Sequence, residues 1–190
     1  MIFAHGWPSI GLMWRAQIDA FATDGWHCVA PDLRGYGDSS KPADNDAYTI
    51  EDVVADMAEL HDHLGGKPAI WIGHDWGCVV VGELAAHEPR RSRGVVLTSL
   101  AYQPDGHALR MIVPLVDRTI YPADQYPDGQ WDYYRYYTTH FEAAVADLDA
   151  DLAASLASIF RCDRQAFAER NGYAQRRALW RRTPRPADRT

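Results

Sequence analysis

Short apolar runs alternate along this chain with longer stretches in which apolar residues recur every third or fourth position. The short runs, residues 1–4, 27–30, 69–72 and 95–98, read as strands; Gly-Trp-Pro breaks the first and Pro31 ends the second. Residues 14–21 fit a helix. The clearest helical pattern follows, with Ile50, Val53, Val54, Met57, Leu60 and Leu64 on one face. Thr49 stands where an N-cap belongs, and Gly65-Gly66 stops the helix. Residues 76–87 read as another helix, ending before Pro89. Strands separated by helices need crossover connections, so the predicted fold class is α/β with a mostly parallel sheet. Ligands in such sheets bind beyond the carboxyl ends of the strands. Three motifs fall there: His5-Gly-Trp-Pro8, Asp32-Leu-Arg-Gly-Tyr-Gly-Asp-Ser39 and Gly73-His-Asp-Trp-Gly77.

From about Tyr102 the pattern changes. Tyr and Asp crowd residues 121–137, and then Val145, Leu148, Leu152, Leu156 and Ile159 trace one helical stripe. This predicts a helical lid rather than more sheet. The expected organisation is a core over residues 1–101, a partial cap over 102–160 and an atypical Arg-rich tail over 161–190. Charge sharpens the last boundary. The tail nets +6 within a total of −7, which leaves −13 on residues 1–160. The tail reads as sequence shifted out of frame near Arg161; a nucleic-acid-binding arm and a solvated helix are the other readings.

Composition narrows the rest. Apolar residues make up 47% and charged residues 24%, ordinary values for a globular domain. The net negative charge argues against nucleic acid or an anionic membrane as partner. No apolar run has the roughly 18 residues of a membrane span, and the N-terminus does not read as a signal peptide. Cys28, Cys78 and Cys162 share no ligand or bridge spacing. The expectation is free thiols, no metal and a cytoplasmic protein.

Gly73-x-Asp75-x-Gly77, between a predicted strand and a predicted helix, has the layout of a nucleophile elbow, with Asp where Ser is usual. A carboxylate is anionic near neutral pH and needs no base to attack an electrophilic carbon. The resulting ester must be cleaved by water, a step that needs a general base and N–H donors for the oxyanion. The amide of Trp76, at a helix start, and that of Trp7, after the first strand, are the candidate donors. The plain alternative is that Asp75 caps the following helix.

HGWP, PDLRGYGDSSKP and GHDWG, in this order and spacing, resemble the epoxide hydrolases of the α/β-hydrolase fold, over about His5 to Phe160. The resemblance implies an incomplete, mostly parallel sheet with part of a helical cap, a nucleophile at Asp75, and oxyanion amides at Trp7 and Trp76. It also implies a cap tyrosine that donates to the epoxide oxygen. Tyr133, in Tyr133-Tyr-Arg-Tyr-Tyr137, is the best match, with Tyr134, Tyr136 and Tyr137 as rivals. No cofactor is implied, and the partner is a small epoxide. His5, His74 and the Arg34–Asp38 stretch read as shaping loops. The Asp-Trp-Gly elbow also resembles haloalkane dehalogenases, in which the indole N–H after the nucleophile helps hold halide, a role for Trp76. Relative to the family the chain is expected to be truncated at both ends, without the acid and His of the triad. Turnover would then fail, and open sheet edges would favour association of copies.

Overall fold

The computed structural model describes residues 1–160; the Arg-rich tail and Cys162 lie outside them. The chain divides into two compact units, one over Met1–Gly106 and one beginning at His107.

In the first unit three parallel strands form a sheet in the order β1 (Ile2–Ala4), β2 (Ala69–Gly73), β3 (Ser92–Leu97). Ile2 pairs with Trp71 and Ala4 with Gly73, while Gly73 pairs with Leu97 on its other side. Side chains alternate between the two faces. Ile2, Ala4 and Trp71 join Met57, Val80, Val81 and Leu84 on one face. Phe3 and Ile72 pack with Trp14, Ile18 and Phe21 on the other. The first face is covered by α2 (Ile50–His63) and α3 (Trp76–His87), and α1 (Arg15–Thr23) contributes to the second. Such two-faced burial is what a parallel sheet requires, and it explains why β1 and β2 are continuous apolar runs. Full burial of a side chain such as Leu84 stabilises by about 2–3 kcal/mol.

The ends of α2 form as the sequence predicts. Thr49 Oγ1 accepts from the Asp52 amide at 3.1 Å. At the other end Gly66 N–H donates to His61 O and Gly65 N–H to Asp62 O, both at 2.9 Å. Gly65 sits at φ +100°, a conformation that favours glycine. The helix α3 occupies the predicted residues.

Two strands differ from expectation. The predicted strand over 27–30 reduces to one bridge between Val29 and Ile2. Phe3 N–H donates to Val29 O at 2.9 Å and Val29 N–H to Met1 O at 3.0 Å. Pro31 has no N–H with which to extend that ladder, and the chain turns away. Conversely, β3 starts at Ser92, three residues before the apolar run, because Ser92 already pairs with Ala69. Backbone pairing there needs no apolar side chain. Val95 and Val96 on β3 remain 37% and 45% exposed.

The second unit is helical over its described residues, with α4 (Leu109–Ile112), α5 (Asp132–Thr139), α6 (Phe141–Ala150) and α7 (Leu152–Ile159). Val116 and Tyr121 are buried against Tyr126 and Trp131. The continuous stripe expected from Val145 to Ile159 breaks at Asp151, whose φ of −153° and ψ of 85° are not helical. Its carboxylate accepts from the Ala154 amide at 2.9 Å and caps α7 instead. The apolar period runs straight through this break because a cap residue on the polar face leaves that period unaltered. No helix among the described residues is long and apolar enough to cross a membrane.

Candidate active site

The carboxyl ends of β1 and β2 meet at one turn. Asp75 lies between β2 and α3 with φ +55° and ψ −125°, the one described residue other than glycine at positive φ. A non-glycine residue in so sparse a region costs on the order of 1–3 kcal/mol and must be held by its surroundings. The turn is tight enough that glycine is needed on both sides. A Cβ at Gly73 would lie 2.4 Å from Gly77 O, and one at Gly77 would lie 2.1 Å from Ala4 O.

Asp75 does not cap α3, since its side chain makes no capping hydrogen bond. Instead Oδ1 accepts from the Trp7 amide at 2.9 Å, across 68 residues of chain. Gly6 makes this approach possible: a Cβ there would sit 2.3 Å from Asp75 Oδ1 and 2.6 Å from the Trp76 nitrogen. Thus the structure brings together three of the residues singled out in the sequence, Trp7, Asp75 and Trp76. Trp76 begins α3, where backbone amides point outward from the helix start. The Trp7–Pro8 peptide is cis.

The remaining motif residues build the walls of this turn. His5 is fully buried and bridges two loops. Its Nε2 accepts from the Leu33 amide at 2.9 Å, so the proton sits on Nδ1, which faces Gly6 O at 3.2 Å. Burial, partly offset by the Gly6 carbonyl and Asp32, holds its pKa below the ordinary 6.5. Asp32 takes the Gly11 amide at 2.7 Å on one oxygen and the Asp38 amide at 3.0 Å on the other. Those two amides hold its carboxyl below the usual carboxylate range. Arg34 grips Asp56 with two hydrogen bonds of 2.7 and 2.6 Å and donates to Ala47 O at 2.8 Å. Tyr36 meets the His5 ring edge-on at 4.9 Å, and burial with the nearby Asp75 charge pushes its pKa up to about 12. His5 and Arg34 therefore orient loops, as their positions in the motifs suggested.

The sign of the His5 effect follows directly. A histidine whose folded pKa is depressed is neutral in the fold and charges more readily in the unfolded chain. The unfolded state then binds more protons below pH 6.5, so stability is full above that pH and falls as pH drops toward the folded value. Thermal melts followed by circular dichroism should show a Tm that is flat from about pH 8 to 6.5 and declines below it, before carboxylates titrate. A Tm unchanged down to about pH 5 would contradict a buried neutral His5.

Tyr133 lies in the second unit, on α5. Its ring stacks on Tyr134 at 4.6 Å and meets Tyr137 edge-on at 5.8 Å, with Trp131 at 6.4 Å. Tyr136 donates to Asp147 at 3.1 Å. Among the described residues no group of three or more His, Cys, Asp or Glu is arranged to hold a metal ion.

Two residues at this turn carried no signal in the motifs. Ser99 Oγ accepts from the Asp75 amide at 2.8 Å, and Thr98 Oγ1 donates to Gly73 O at 2.8 Å. The signal available was positional: hydroxyl residues at the carboxyl end of β3, the strand next to β2.

Comparison with known proteins places these features. The profile of the α/β hydrolase fold family matches residues 1–185. The chain is 51% identical to epoxide hydrolase A of Mycobacterium tuberculosis over 81 residues, which cover 43% of this chain and 25% of that protein. It is 29% identical to bifunctional epoxide hydrolase 2 of Sus scrofa over 180 residues, covering 95% of this chain and 30% of the other. The crystal structure of epoxide hydrolase A from Mycobacterium thermoresistibile superposes with a TM-score of 0.70 at 31% identity, covering 97% of this chain and 56% of that one. The chain therefore spans only 25% and 30% of the lengths of the two curated relatives.

Proposed function

Because this chain belongs to the α/β hydrolase fold family, we propose that Asp75 is the nucleophile of an epoxide-opening hydrolase. One observation carries the reading: a carboxylate on a strained strand-to-helix turn, with one oxygen already seated on a backbone N–H. The likeness to proteins named epoxide hydrolases supports the choice of electrophile.

The two carboxylate oxygens take different roles. Oδ1 is engaged by the Trp7 amide, so the electron pair that attacks comes from Oδ2. Oδ2 forms a bond to an epoxide carbon, the ring C–O bond breaks, and the ring oxygen takes a proton from a cap phenol, for which Tyr133 is the first choice. A water then attacks Cγ of the ester. Negative charge develops on Oδ1, where the Trp7 amide already points and the Trp76 amide is the second donor. Collapse breaks the Cγ–Oδ2 bond; the two protons of the water, one carried by the base, pass to the departing alkoxide and to the phenolate, which releases the diol and restores the carboxylate. This second step needs a base to take a proton from the water. His5 cannot serve, since both its ring nitrogens are committed to Gly6 and Leu33. Ring opening is the step that Asp75 and the Trp7 amide support directly, and hydrolysis of the ester waits on a base other than His5.

Incubation of the full chain with styrene oxide, read by intact-protein mass spectrometry, tests this. The expected result is a stable increase of one styrene oxide per chain, mapped by peptide analysis to Asp75. Rapid diol release without adduct would show that a base is present, and no modification of Asp75 would remove the chemical reading. A parallel incubation with 1-chlorobutane addresses the dehalogenase alternative, which predicts alkylation of the same carboxylate with release of chloride.

A further inference from the structure

The turn at Asp75 is gripped by the strand beside it. Asp75 lies beyond Gly73, the last paired residue of β2, so its amide needs an acceptor of its own. That acceptor is Ser99 Oγ at 2.8 Å, just beyond the end of β3. Two residues earlier, Gly73 O receives the Thr98 amide at 3.1 Å, Thr98 Oγ1 at 2.8 Å and Cys78 Sγ at 3.1 Å. Cys78 Sγ also lies 3.8 Å from Ser99 Oγ. A route of polar contacts thus runs from the Asp75 amide through Ser99 and Cys78 back to the Gly73 carbonyl, closing a loop around the bend. The backbone bonds at the bend, His74 N–H to Ala4 O, Thr98 N–H to Gly73 O, Gly77 N–H to His74 O and Cys78 N–H to Asp75 O, leave the Asp75 amide to Ser99.

We propose that Ser99 is a positioning residue for the nucleophile: by accepting the Asp75 amide it fixes the peptide plane that aims the carboxylate over Gly6 and onto the Trp7 amide. The proposal rests on the reading of Asp75 as nucleophile. Without the Ser99 oxygen the His74–Asp75 peptide keeps the bond from Gly77 N–H to its carbonyl but loses the anchor on its amide side. The Oδ1 contact with Trp7 N–H then loosens, and Oδ2 is no longer held in one attacking direction. Ser99 is exposed, so its hydrogen bond adds little to global stability, whereas its effect on direction is local.

Two variants separate direction from folding. Ser99→Ala removes the acceptor, and Ser99→Thr keeps it on an exposed side chain. Pseudo-first-order alkylation of Asp75 by styrene oxide should slow about tenfold in Ser99→Ala and return to within about threefold of the parent in Ser99→Thr. Both variants should melt with the parent. A Ser99→Ala chain that is alkylated at the parental rate would overturn the proposal, as would one that Ser99→Thr fails to rescue. Amide hydrogen exchange at Asp75 supplies a readout independent of the chemistry. Exchange should be slow in the parent and in Ser99→Thr and faster in Ser99→Ala. If the parent is not alkylated at all, the nucleophile reading has failed; unchanged exchange in Ser99→Ala shows instead that the grip itself is wrong.

Discussion

Asp75→Asn is expected to abolish the styrene oxide adduct while leaving the fold intact. The substitution keeps shape and an acceptor oxygen, so the Trp7 amide retains its partner at the place now 2.9 Å from Oδ1. Asn also tolerates positive φ better than most residues, so the strained turn survives. What disappears is the anionic oxygen. An amide oxygen is a poor nucleophile, and the loss of alkylation rate should be on the order of a thousandfold or more. The free thiols are the obvious competitors. Cys28 is partly exposed and Cys78 is buried, so among the described thiols any residual adduct in Asp75→Asn should map to Cys28. An adduct that persists unchanged in mass yield and does not map to a thiol would end the proposed chemistry.

The bend itself was legible in the sequence because it is a local pattern: an apolar strand, two glycines two residues either side of one carboxylate, and an apolar helix. The helix α2 was equally legible, since Thr49 and Gly65-Gly66 act through neighbours in sequence. Legibility failed wherever the partner is distant. Ser99 meets Asp75 across 24 residues, and nothing in Thr98-Ser99 marks it. The bridge at Val29 failed for a related reason: its apolar run promised a strand, but Pro31 limits the ladder from outside the run. Asp151 shows the opposite failure, where a periodic stripe concealed a cap. The role of His5 was legible as structural, yet its particular bonds to Gly6 and Leu33 depend on two loops meeting. The α/β fold and the position of the bend at Asp75 could thus be read from local periodicity and turn chemistry. The side chains that stabilise that bend could not.

Gly77→Ala should be strongly destabilising, and the reason lies in how the bend is seated. A Cβ at Gly77 would fall 2.1 Å from Ala4 O, 2.5 Å from Ala4 C and 2.7 Å from His5 O. All three are backbone atoms of β1 and the loop after it, so no side chain can swing aside. Relief requires α3 to retreat from β1. That would open the core formed by Ile2, Ala4, Val80, Val81 and Leu84. Overpacking of a rigid site costs roughly 1–3 kcal/mol, and backbone-on-backbone contact puts this one at the upper end or beyond, about 3 kcal/mol or more. Against a typical stability of about 5–15 kcal/mol, that removes a large share of the total. Gly94 on β3 provides the contrast, because a Cβ there meets nothing within 4 Å. Gly94→Ala should change stability by no more than about 0.5 kcal/mol. Urea unfolding of the two variants beside the parent measures the difference. Equal midpoints for Gly77→Ala and the parent would mean that α3 does not bear on the end of β1. The seat that brings the Trp7 amide to Asp75 depends on that close approach, so alkylation and stability should fail together in Gly77→Ala, whereas they separate in Asp75→Asn.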